Sequence, residues 1–127
     1  VGDDTRAWHG SPLSDVRSFQ PEPGDDEAEL LDGATERRLV FGHTHVPFIR
    51  RSSVADVELV NPGSVGMPFD GDHRAAYALL HDDGTIEHRR VAYDHTVVPD
   101  ALRERYGDAD WLAGPLHRFT YARMEGA

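Results

Sequence analysis

The 127-residue chain contains neither cysteine nor lysine. Without cysteine there are no disulfides and no thiolate ligands, so any metal must be held by histidine, carboxylate, amide or water. All 13 basic residues are arginine, against 23 acidic ones, and the net charge is −10. No basic stripe is available to neutralise a phosphate backbone, which argues against a nucleic-acid surface. The same deficit disfavours docking on an anionic membrane. No apolar run approaches the roughly 20 residues that a membrane span needs, and no basic-then-apolar leader is visible. A cytoplasmic location is therefore expected. The length suits one domain at most, or a piece of one. The chain starts at Val1 rather than Met and enters a strand almost at once, so the native N-terminus is expected upstream.

What is present reads as mixed α and β. The segment "TRAWHGSP" (residues 5–12) looks like a strand end running into a turn at Gly10-Ser11-Pro12. Then "PEPGDDEAELLDGA" predicts a short helix with Asp25 or Asp26 as N-cap, Glu29 as capping-box partner and Gly33 as its stop. Its charges read as a solvated face. In "RRLVFGHTH" the run Leu39-Val40-Phe41 suits a strand buried on both faces. Two further strands are expected in "VPFIRRSS" and "VADVELVNPGS", with a turn near Ser52-Ser53. Two β-rich runs flank Asp82-Asp83-Gly84-Thr85, a hairpin signature. The tail predicts a helix from about Asp100 to Tyr106 and a short helical or irregular piece through Trp111 and Leu112. Trp111, Leu112, Leu116 and Phe119 are expected to pack that tail on the sheet.

The chemistry concentrates at "FGHTHVPF" (residues 41–48). On a strand, residues i and i+2 share a face, so His43 and His45 would point the same way. At a strand end opened by Gly42 they would instead splay toward two adjacent ions. Neutral imidazole is a common ligand for Zn, Mn, Fe or Ni, although His-x-His pairs also occur on ordinary exposed strands. His9, in "WHGSP", is likewise at a strand end and likewise followed by glycine. If the two strands are neighbours, the imidazoles converge. By pattern alone, three histidines without thiolates suggest a mononuclear zinc site with an open position.

Taken together, "HGSP", "VFGHTHVPF" and "LVNPGSVGMPFDGDHRAAYALL" resemble the C-terminal half of the calcineurin-like metallophosphoesterase superfamily, in its small bacterial and archaeal phosphodiesterase-type branch. The resemblance runs from about Arg6 to Tyr93. It implies part of a four-layer αββα sandwich, an α/β fold whose C-terminal half has mostly antiparallel strands. Residues 1–98 would be that half-domain and 99–127 a helical tail on it. It also implies two divalent metal ions (Mn, Fe, Zn or Ni), with His9 and His43 on one and His45 on the other. The family's Asp-x-His, its bridging carboxylate and its Asn-His pair with the general-acid histidine all precede the segment matching His9. Only eight residues do so here, so no catalytic residue is expected in this chain, which would be inactive without the missing N-terminal half. The activity implied for the whole is hydrolysis of a phosphodiester or nucleotide-type phosphoester, the substrate being a phosphorylated small molecule. A phosphoprotein phosphatase is the enzymatic alternative, and a non-catalytic partner-binding module the alternative of another class. A detached half would expose the apolar flank of Leu39 to Phe41 and self-associate.

Asn61, in "NPGS", would support the histidine loops, lie near a substrate phosphate, or simply stabilise a turn. On the last reading Asn61→Ala affects stability more than chemistry. Arg37-Arg38, Arg50-Arg51 and Arg89-Arg90 read as solvated or edge-protecting pairs rather than phosphate ligands. His73, His81, His88, His95 and His117 read as surface residues. Asp70 and Asp72 offer too few oxygens for a calcium loop.

Overall fold

The structure, a computed structural model, describes residues 4–126. The chain divides into two compact units, Val1–Gly63 and Ser64–Ala127. The first carries β1 (Thr5–Trp8), α1 (Glu27–Leu31), β2 (Arg38–Phe41), β3 (Phe48–Arg51) and β4 (Glu58–Asn61). Its four strands form one mixed sheet in the order β1-β2-β4-β3. β1 and β4 both run parallel to β2, while β3 lies antiparallel to β4. The second unit carries a hairpin of β5 (Ala75–Leu80) and β6 (Ile86–Val91), then α2 (Val97–Tyr106), a 3₁₀ turn (Asp110–Leu112) and α3 (Ala113–Tyr121). The strand pairings are therefore evenly parallel and antiparallel, a correction to the mostly antiparallel expectation. The two parallel pairings are the ones that flank the strand leading into Gly42.

Leu39, Phe41, Val57 and Leu59 on the sheet meet Phe19, Leu30 and Leu31 to form the core of the first unit. Each such side chain, fully buried, stabilises by about 1.5–3 kcal/mol. Phe41 sits between two aromatic rings, 5.0 Å from Phe19 and 5.6 Å from Phe48. β2 is not buried on both faces: Leu39 and Phe41 are covered, whereas Arg38 and Val40 are half-buried. Of the apolar flank from Leu39 to Phe41 expected to be exposed, Leu39 and Phe41 are buried and Val40 is half-buried. The helix at Leu30-Leu31 and the loop at Phe19 cover that face.

α1 starts after Asp26 and ends at Asp32, whose φ of 45° precedes Gly33 at 72°. The expected capping box does not form, because Asp26 and Glu29 both bind the Arg17 guanidinium. Nor is the charge of α1 all solvated: Glu27 is 1% exposed. Its carboxylate accepts from Arg50 at 2.6 Å, from Ser52 Oγ at 2.7 Å and from the Ser53 amide at 2.6 Å. That group ties α1 to the β3–β4 loop.

In the second unit the hairpin closes as expected, with His81 and Gly84 hydrogen-bonded across the turn and Gly84 at φ 84°. α2 begins at Val97, ahead of the expected start, and includes Pro99. The short helical or irregular piece expected through Trp111 and Leu112 is the 3₁₀ turn, and it runs on into the nine-residue α3, with Pro115 in its first turn. The first-turn amides of a helix have no intrahelical acceptor, so proline costs nothing at either place. Leu112 is buried, but Trp111 is exposed and stacks edge-on to Tyr106, so Trp111 does not pack the tail. No helix among the described residues is long and apolar enough to cross a membrane.

Candidate functional site

Three parallel strands end at one edge of the first sheet, and at or just beyond each end stands a residue the sequence singles out. The last pairing of β1 with β2 is Trp8 with Phe41. His9 and Gly42 follow directly, joined by a bond from the Gly42 amide to the His9 carbonyl at 2.8 Å. On the other side of β2, Val40 pairs with Val60, so Asn61 closes β4 level with Phe41. Carboxyl ends of parallel strands are where α/β folds usually build sites.

The imidazoles of His9 and His43 meet edge-on here, with ring centroids 5.3 Å apart and planes at 80°. β2 has already ended at Phe41, so the strand rule that would align His43 with His45 does not apply. The backbone instead turns sharply. His43 has φ 70° and His45 φ 59°, both in the left-handed region that non-glycine residues seldom enter. The Thr44 amide bonds the Gly42 carbonyl at 2.9 Å, closing a three-residue γ-turn centred on His43. The positive-φ form of this turn is rare and strained, and such conformations cost roughly 1–3 kcal/mol each.

The turn is held from two sides. Asn61, wholly buried, donates its Nδ2 to the Gly42 carbonyl at 3.1 Å and to Thr44 Oγ1 at 2.7 Å. Its Oδ1 accepts the Gly63 amide at 2.9 Å. Ser18 Oγ bonds the Gly10 carbonyl at 2.8 Å and the Gly42 carbonyl at 3.3 Å, linking the residues next to His9 and His43. Nothing in the sequence marks Ser18, since its partners are backbone carbonyls brought together by strand pairing.

The donor chemistry fits one edge of a metal site. Imidazoles of this kind suit Zn, Mn, Fe or Ni. Among the described residues, however, no three His, Cys, Asp or Glu side chains gather as a metal-holding group. The residues present therefore do not fit a complete two-ion centre, in which ions about 3.5–4 Å apart repel and need an anionic bridge. Three carboxylates elsewhere are paired with arginine: Asp70 binds Arg90, Asp72 binds Arg74 and Arg90, and Glu58 binds Arg38. Arg38 and Arg90 are paired in the same way, as are Arg50 with Glu27, Arg51 with Asp56 and Arg89 with Glu87. Of the remaining histidines, His73 and His95 stack on each other at 3.9 Å, and His81 contacts Glu87.

Known proteins share this fold. The crystal structure of a metallophosphoesterase from Sphaerobacter thermophilus matches with a TM-score of 0.76 and 25% identity, covering 96% of this chain and 56% of that one. A hypothetical protein from Pyrococcus horikoshii shares the fold, with a TM-score of 0.67 and 18% identity over 88% of this chain and 45% of its own. An uncharacterized protein of Methanocaldococcus jannaschii is 38% identical over 94 residues, 58% of this chain and 39% of that protein. The chain thus spans little more than half the length of these relatives, or less. The family model for the calcineurin-like phosphoesterase superfamily domain matches residues 5–85, a span that includes His9, His43, His45 and Asn61. The chain belongs to the calcineurin-like phosphoesterase superfamily.

Proposed function

We propose that this chain supplies the imidazole edge of the metal site of a phosphoesterase, and that the carboxylate ligands come from a complementary portion such as the one by which its relatives exceed it. The intact enzyme would hydrolyse a phosphodiester or nucleotide-type phosphoester of a small molecule. The observation that carries this reading is the meeting of His9 and His43 at the carboxyl ends of neighbouring parallel strands. The role of this chain's residues is to hold nitrogen ligands at a fixed strand edge. His9 and His43 would serve one ion and His45 a second, with Mn, Fe, Zn and Ni all compatible with nitrogen and oxygen ligation.

By itself the chain is expected to bind a divalent ion weakly and to turn over no phosphodiester. Titration with Co²⁺, a visible probe of nitrogen ligation, is expected to show weak binding that falls at least about tenfold in His43→Ala. Elemental analysis of the isolated chain should find well under two ions per chain. Binding unaffected by His43→Ala would sink the assignment. No binding in either protein would favour the second reading, a module without metal chemistry, for which the lack of a three-ligand cluster among the described residues is the supporting observation.

A further inference from the structure

We infer that Asn61 is a positioning residue, whose buried carboxamide clamps the strained turn centred on His43 and so keeps the His43 imidazole against that of His9. A γ-turn at φ 70° on a histidine does not persist unless its surroundings hold it there. Asn61 reaches both sides of His43: the carbonyl of Gly42 before it and the hydroxyl of Thr44 after it. One amide nitrogen has two hydrogens, and each has an acceptor here. The carboxamide oxygen is fixed in turn by the Gly63 amide, so the group cannot flip without losing all three bonds.

Position makes the clamp effective. Asn61 is the last residue of β4 and is 0% exposed; it pairs with Phe48 of β3, and its neighbour Val60 pairs with Val40 of β2, so its Cα is held in place. The turn it grips is the direct continuation of β2. A displacement of Gly42 or Thr44 would be transmitted to His43 with nothing to absorb it, and the edge-on contact with His9 would open. The sequence left three readings open for Asn61, namely support of the histidine loops, proximity to a substrate phosphate or its own turn, and these bonds favour the first. Its bonds to Gly42 and Thr44 face the histidine turn, while the bond from Gly63 serves its own turn.

The test uses the 127-residue chain and two near-isosteric changes. Asn61→Asp keeps the oxygen that accepts from Gly63 and removes both donated hydrogens. Thr44→Val removes only the hydroxyl acceptor. The first readout needs no metal: the nuclear Overhauser effect between the ring protons of His9 and His43, with melting followed in parallel. It is expected in the wild type, lost in Asn61→Asp and weakened in Thr44→Val, while other core contacts such as Phe19 to Phe41 stay. The second readout is Co²⁺ affinity and rests on the function proposed above. It is expected to fall about 10–100-fold in Asn61→Asp. A ring contact that survives in both variants, with lower melting alone, would overturn the inference and leave Asn61 a structural residue. If Asn61→Asp does not fold, Thr44→Val decides. A wild type that binds no Co²⁺ but loses the ring contact in the variants would uphold the clamp and sink the metal reading.

Discussion

Glu27→Ala is expected to cost the chain about 3–5 kcal/mol of folding stability, the range for removing one partner of a buried ion pair. The substitution deletes the acceptor for four groups at once: the Arg50 guanidinium, the Ser52 and Ser53 hydroxyls and the Ser53 amide. The Arg50 side chain is itself only 14% exposed and would be left as a poorly solvated cation beside Phe48. The same network makes a pH prediction. Burial pushes the Glu27 carboxyl up, but hydrogen bonds from Arg50, Ser52 and the Ser53 amide outweigh it and bring it down to about 2 from an ordinary 4.5. A carboxyl whose folded pKa lies below its unfolded one stabilises fully above the unfolded value and loses that stabilisation as pH falls toward the folded one. Roughly 3 kcal/mol should therefore disappear between about pH 5 and pH 2. Urea melts across that window should show a shallower acid limb in Glu27→Gln than in the wild type. Equal limbs would mean that Glu27 is not the group that titrates.

The helix that carries Glu27 shows where sequence reasoning succeeds and where it stops. The ends of α1 were legible from Asp26 and Gly33, because capping and left-handed stops are local properties of the chain. The burial of Glu27 also had a local signal: Leu30 and Leu31 stand three and four residues on, so Glu27 shares their face. Its partners had none. Arg50 and Ser52 lie more than 20 residues away, and only the β3–β4 loop geometry brings them to it. The site divides in the same manner. Strand, glycine and histidine at His9 and at His43 were readable one by one, and so was the hairpin around Gly84. That β1 and β4 both flank β2 was not, since their hydrophobic patterns fit many strand orders. The strained turn at His43 left no trace either: glycine advertises positive φ, and histidine does not. Hence the sequence could not choose between Asn61 supporting the histidine loops and stabilising its own turn, whereas strand order carries its amide to the former.

Gly10→Ala should prove nearly as damaging, for a reason unrelated to backbone freedom. A Cβ at Gly10 would sit 2.5 Å from the Ser14 carbonyl oxygen, 2.7 Å from that of Arg17 and 2.9 Å from the Asp15 carbonyl carbon. All three are backbone atoms, so no side chain can rotate away, and the segment from Ser14 to Arg17 has to move. That segment is folded tightly on itself by reciprocal bonds between Ser11 and Ser14. Overpacking of this kind typically costs 1–3 kcal/mol, and about 3 kcal/mol is expected where backbone must yield on three sides. The displacement reaches the site as well. Gly10 follows His9 directly, and its carbonyl holds the Ser18 hydroxyl that also bonds Gly42. Gly10→Ala should therefore lower the urea midpoint and disturb the His9–His43 contact together, whereas Asn61→Asp should break the contact with the Phe19–Phe41 packing retained. A variant within about 0.5 kcal/mol of the wild type would show that the loop yields freely. The close packing around Gly10 would then have no part in fixing His9.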